Sequence, residues 1–132
     1  MSSDIGAPRL ALESVHVEMK TRSLAASRMF YADQLGLQVV QESRGLIALL
    51  AGGLRISIFE ADQVGDEHWM HVIFRVGDLA AAKRVLEGRG VRFEGGFRHA
   101  PGFMDYLVAR DPDGRPVEIA RYLRDPMKPF PA

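Results

Sequence analysis

The chain has 132 residues, 47% of them apolar, which is one domain's length with enough apolar side chains to build a core without a metal or disulfide staple. Lys+Arg and Asp+Glu balance at 17 each, and the absence of a basic run or aromatic-interleaved stripe excludes the electrostatic footprint of a nucleic-acid binder. There are no cysteines, no charged stretch leading into an apolar segment at the start, and no apolar run of the ~18 residues a membrane span needs, so a soluble cytoplasmic protein with no membrane contact is expected.

In chain order, the first ten residues and the proline-containing tail 123–132 read as draped ends. Ser14–Lys20 alternates with period two, Val15, Val17 and Met19 on one face and His16, Glu18 and Lys20 on the other, as a half-buried strand requires. Ser23 then caps a helix running to about Leu35, with Leu24, Met29, Phe30, Tyr31 and Leu35 turned inward and Gly36 ending it in a left-handed conformation. Strands follow at about Leu37–Glu42, Leu46–Ala51 and Leu54–Glu60, the last two joined by a tight Gly52-Gly53 turn. After the short polar linker Ala61–Glu67, Trp69–Val76 reads as a strand, Asp78 as a helix cap, and a helix extends to about Glu87, closed by Gly88 and Gly90. Strands near Val91–Phe97, Met104–Arg110 and Arg115–Tyr122 complete the second half, with Asp111-Pro112-Asp113-Gly114 as a turn.

The two halves are copies of one another. His16, Val17, Leu24, Ala25 and Ala26 match His71, Val72, Leu79, Ala80 and Ala81 at a constant offset of 55 residues without a gap. Repetition at one offset is a fold-level signal, and the unit is βαβββ, twice. The fold class expected is therefore α+β, in a single domain with module one at about 12–61 and module two at about 68–122.

Strand alternation places His16 and His71 at equivalent points, both facing away from the helix-packing residues. On the last strand Glu118 is the one acid among Pro116, Val117, Ile119 and Ala120, where an unpaired carboxylate is costly to bury. Two neutral imidazoles and this carboxylate form a donor set for a divalent metal, leaving about three open positions. The plainer alternative is an ion pair between Glu118 and Arg121, Arg110 or Arg75. Glu18 and Arg75 share the same predicted face, as a candidate general base and anion clamp; their plainer alternative is a Glu–Arg or Glu18–Lys20 ion pair. Trp69, Phe59 and Tyr106 are candidates for an apolar wall, with ordinary packing as the alternative. His68 and His99 read as solvated loop residues.

Four segments, Val15-His16-Val17, Phe30-Tyr31-Ala32-Asp33-Gln34-Leu35-Gly36-Leu37, Met70-His71-Val72 and Asp111 through Ile119, resemble the vicinal oxygen chelate superfamily of glyoxalases, bleomycin-resistance proteins and extradiol dioxygenases. The resemblance covers about Leu12–Tyr122. It implies that the two modules curl into a cup-shaped mixed sheet with helices outside, and that the metal ligands come from the first and last strand of each module. Carried over residue by residue, these are His16, His71 and Glu118, with the fourth position on Ser57, a poor ligand for a dication. The tyrosine of the three-ligand relatives falls on Val108, with Tyr106 two residues away on the same face. The resemblance further implies a divalent ion (Fe, Mn, Zn, Ni or Co), a small substrate that chelates it through adjacent oxygens, and a homodimer in which His16 of one chain meets His71 and Glu118 of the other. The competing expectation is a binding protein of the bleomycin-resistance type that holds a small molecule without chemistry.

Overall fold

The computed structural model describes residues 15–65 and 72–126. Eight strands and two helices follow in chain order: β1 (Val15–Thr21), α1 (Leu24–Arg28) continuing into a wider π-helical segment (Met29–Gln34), β2 (Gln38–Ser43), β3 (Leu46–Ala51), β4 (Leu54–Glu60), β5 (Val72–Arg75), α2 (Leu79–Gly88), β6 (Arg98–Ala100), β7 (Met104–Arg110) and β8 (Pro116–Tyr122). They form two mixed sheets with the same plan, β1-β4-β3-β2 and β5-β8-β7-β6. In each, the opening strand lies at an edge and runs parallel to the last strand of its module, the other pairs being antiparallel. The βαβββ unit expected from the duplication is thus present in both halves.

Period-two alternation decides which residues make the core. Met19, Ile47, Leu49, Ile56 and Ile58 from the first sheet, and Leu107, Val117 and Ile119 from the second, are buried together with Phe30, Tyr31 and Leu86 of the helical segments in one cluster. Removing this apolar surface from water is the main stabilising term, at about 25 cal/mol per Å². The opposite faces carry His16, Glu18, Arg55 and Ser57 in module one and Ile73, Tyr106, Val108 and Glu118 in module two.

Each helix starts on its expected cap. The Ser23 hydroxyl accepts from the Ala26 amide at 3.1 Å and the Asp78 carboxylate from the Ala81 amide at 3.0 Å, each satisfying an amide with no intrahelical partner. Gly36 and Gly90, at φ +84° and +89°, close the two helical segments in the left-handed region. Met29 departs from expectation: it is 59% exposed, while Phe30 and Tyr31 turn inward. A π-helical turn advances each residue by a smaller angle than an α-helical one, and here it brings consecutive aromatic residues onto the core, where their rings meet edge to face at 5.0 Å.

The strand expected near Val91–Phe97 is not formed; its place in the sheet is taken by the three-residue β6, Arg98–Ala100. Gly95 at φ +70° and Gly96 interrupt the extended chain, and Val91 is drawn back onto the end of α2 by a hydrogen bond from its amide to the Leu86 carbonyl at 3.0 Å.

A buried polar cluster joins the modules. The Asp111 carboxylate accepts from the Tyr31 hydroxyl at 2.7 Å, from the amides of Asp113 and Arg115 at 3.0 and 2.9 Å, and from the Arg115 guanidinium. Arg115 also donates to the Lys20 carbonyl at 3.1 Å, and Asp113 accepts from the Arg22 amide at 3.0 Å. The Asp-Pro-Asp-Gly turn, with Gly114 at φ +85°, therefore ties the end of β1 and the helical segment of module one to the start of β8, three residues before Glu118.

Candidate functional site

On the first sheet the register sets His16 beside Arg55 and Leu50, Glu18 beside Ser57 and Ala48, and Lys20 beside Phe59 and Leu46. All nine share the face turned away from the core. His16 is exposed, because β1 is an edge strand, and its Nε2 lies 3.1 Å from the hydroxyl of buried Ser57. Glu18 is exposed, and Phe59 leaves 38% of its surface in solvent. Arg55, half-buried, donates from Nε to the Ser57 hydroxyl at 3.4 Å and from its terminal nitrogen to the Gln41 side-chain carbonyl at 2.7 Å.

On the second sheet Glu118 occupies the position that Ser57 holds on the first. Its register neighbours are Ile73 and Val108, and only 5% of its surface is exposed. With Tyr106, Val108, Ile73 and Met104 it lines a cavity of about 600 Å³, with Arg98 and Arg110 also on its wall. All described residues of this lining belong to module two. The three arginines that offered an ion pair to Glu118 have other partners: Arg75 lies 3.5 Å from Asp125, Arg110 2.8 Å from Glu94, and Arg121 3.6 Å from Asp105. The hydrogen bond to Arg110 holds the Glu94 carboxyl below its ordinary value.

The structure thus groups His16, Ser57, Glu18 and Phe59 on one open face and Glu118, Tyr106 and Val108 on the other. His71 and Trp69 lie outside the described residues, as does His68. Arg75 is on the expected face of β5, but its guanidinium is already opposed by Asp125. His99, expected in a loop, lies in β6 with Nδ1 2.7 Å from Asp105. Sequence reasoning passed over Arg55; pairing His16 with the residue opposite it on β4 would have found it, once the parallel register was known.

Among the described residues no group of three His, Cys, Asp or Glu side chains gathers within one chain. The donor types nonetheless suit a divalent ion: an imidazole on the edge strand of one sheet and a buried carboxylate on the second strand of the other. A further cavity of about 960 Å³ lies between the helix-packing sides of the modules, lined by Met19, Leu35, Ile56, Phe74, Leu86 and other apolar residues. It is larger, and its described lining holds no histidine or carboxylate.

The sequence model of the Glyoxalase/Bleomycin resistance protein/Dioxygenase superfamily matches residues 14–119. The chain belongs to this superfamily. Its members typically bind small molecules. Solved structures agree on the fold. A glyoxalase/bleomycin resistance protein/dioxygenase from Nocardioides is 16% identical with a TM-score of 0.75, over 98% of this chain and 95% of that one. A glyoxalase family protein from Bacillus anthracis is 19% identical with a TM-score of 0.74, over 87% of this chain and 98% of that one. A glyoxalase/bleomycin resistance protein/dioxygenase from Alicyclobacillus acidocaldarius is 18% identical with a TM-score of 0.72, over 92% and 100%. Comparison with curated proteins gave no match. No helix among the described residues is long and apolar enough to cross a membrane.

Proposed function

We propose that this superfamily member is a metal-dependent enzyme acting on a small substrate that offers two adjacent oxygens, with His16, His71 and Glu118 holding a divalent ion. The observation that carries the reading is the burial of Glu118, a carboxylate inside an otherwise apolar strand, on the wall of a cavity and at the repeat-equivalent of Ser57 beside His16. When bound, the ion supplies Lewis acidity and stabilises negative charge developing on substrate oxygen.

The chain's own residues do the rest. His16 would be one of the residues holding the ion, and the Ser57 hydroxyl, 3.1 Å from its Nε2, would be the group beside it to hydrogen-bond a substrate oxygen. Glu18, beside Ser57 in the register, is placed to accept a proton from bound substrate. Tyr106 offers a phenol two residues from Val108 on the Glu118 wall, and Val108 and Phe59 exclude water from the substrate's apolar part. Exposure of His16 on an edge strand, with a Glu118 cavity lined by described residues of module two alone, supports a site completed across a homodimer.

Loading the protein in turn with Fe(II), Mn(II), Zn(II), Ni(II) and Co(II) and measuring metal per chain tests the reading. Near-stoichiometric uptake of one of them is expected, weakened roughly 100-fold or more by His16→Ala, His71→Ala or Glu118→Gln, with apoprotein unfolding curves unchanged. Failure of the wild type to take up any of these ions would favour a metal-free binder of the bleomycin-resistance kind. An assay panel of isomerisation, thiol transfer and ring cleavage on the loaded protein then assigns the reaction.

A further inference from the structure

We infer that Arg55 anchors a carboxylate of the substrate, so that the molecule taken up is an organic acid with a second oxygen next to its carboxylate. The inference deepens the site proposed above and rests on its placement. Arg55 lies on the same sheet face as His16 and Ser57 and is the register partner of His16. It is half-buried, and its hydrogen bonds go to neutral acceptors, the Ser57 hydroxyl at 3.4 Å and the Gln41 amide oxygen at 2.7 Å.

A guanidinium keeps its charge under all ordinary conditions. Other arginines are opposed by a carboxylate, Asp111 for Arg115, Glu94 for Arg110, Asp125 for Arg75 and Asp105 for Arg121, whereas Arg89 and Arg98, like Arg55, bond neutral oxygens, here backbone carbonyls. Arg55 makes no ion pair among the described residues. The two hydrogen bonds fix the orientation of its plane and leave N–H donors unused, and a planar fork of that kind is complementary to a carboxylate.

Comparison of the two modules sharpens the point. Aligning Ser57 with Glu118 puts Pro116 at the position of Arg55, so the cation belongs to module one only. Glu118 stands on one half of the duplicated framework, and Arg55, with the exposed Glu18 one register step along the same face, stands on the other. An ion beside Arg55 with Glu118 as its one anionic ligand leaves excess positive charge, which an anionic substrate offsets. Leu50, beside Arg55 in the register, and Phe59, two positions along β4 on the same face and 38% exposed, provide an apolar surface for the remainder of such an acid.

Salicylate and catechol test this: both are flat and carry adjacent oxygens, and at neutral pH only salicylate is an anion. Titration calorimetry of the apoprotein and of the metal-loaded protein is expected to show salicylate binding about tenfold or more tightly than catechol. Arg55→Gln should abolish that preference with metal content and melting curve unchanged, and Arg55→Lys, which keeps the charge but loses the fork, should retain part of it. The same preference in wild type and Arg55→Gln, or no salicylate binding in either form, overturns the inference. A salicylate preference that disappears in Arg55→Gln, in a protein that takes up no metal, would sustain Arg55 while sinking the metal site. Normal metal uptake with no effect of Arg55→Gln would do the reverse.

Discussion

Burial, followed by the negative charge and hydrogen bond of Asp111, holds the Tyr31 phenol well above its ordinary value of 10.0. Because the folded state raises this pKa, the neutral phenol's contribution to stability is fully present below about pH 10 and is lost as pH rises beyond it. Urea unfolding between pH 8 and 11 should therefore show the protein weakening above pH 10, with a shallower alkaline decline in Tyr31→Phe. At pH 8 the same variant should lose about 1–3 kcal/mol, since Asp111 forfeits one acceptor interaction inside the core. An unchanged alkaline limb in Tyr31→Phe would place the pH dependence elsewhere. At the same scale, the lesson of Arg55 and Arg75 is that a cation's usefulness depends on its partners: Arg75 looked available in the sequence until Asp125, 50 positions further on, was found beside it.

At the scale of elements, the caps give the most direct tests. Ser23→Ala removes the acceptor for the Ala26 amide and should cost about 1 kcal/mol in thermal or urea unfolding, with Asp78→Ala costing a similar amount in α2; no loss in either would mean that water replaces the cap without penalty. These caps, the Gly52-Gly53 turn and the bounds of β3, β4 and β7 were legible in the sequence because each is written in neighbouring residues. The interruption at Gly95-Gly96 was also visible, but apolar alternation around it suggested a strand from Val91 to Phe97. Hydrogen bonding of Val91 to the end of α2 and the left-handed Gly95 overrode that pattern. The π-helical turn that exposes Met29 has no local signature. The Tyr31–Asp111 contact spans 80 positions, and periodicity carries no information on which distant residues meet.

At the scale of the whole molecule, duplication made the architecture readable, since one pattern found twice identifies a fold better than either copy alone. It also singled out His16 and His71 as candidate ligands, because equivalent strands offer equivalent faces. What it could not supply was the relation between those faces. His16 and Glu118 stand on different sheets, and the described wall of the Glu118 cavity draws only on module two. A site shared between chains makes a quantitative prediction. Neither His16→Ala nor Glu118→Ala alone should take up metal, but an equimolar mixture refolded together should recover about a quarter of the wild-type content, because half the dimers are mixed and each mixed dimer has one intact site. No recovery in a protein that light scattering shows to be dimeric would place all the ligands within one chain.

The most direct measurement is anomalous X-ray scattering from crystals of the metal-loaded protein, collected at the absorption edge of the bound ion. One peak per chain is expected, bonded to nitrogen atoms of His16 and His71 and to a carboxylate oxygen of Glu118. A peak bound by other residues, or loaded crystals in which Glu118 and His16 have no shared ion between them, would contradict the account.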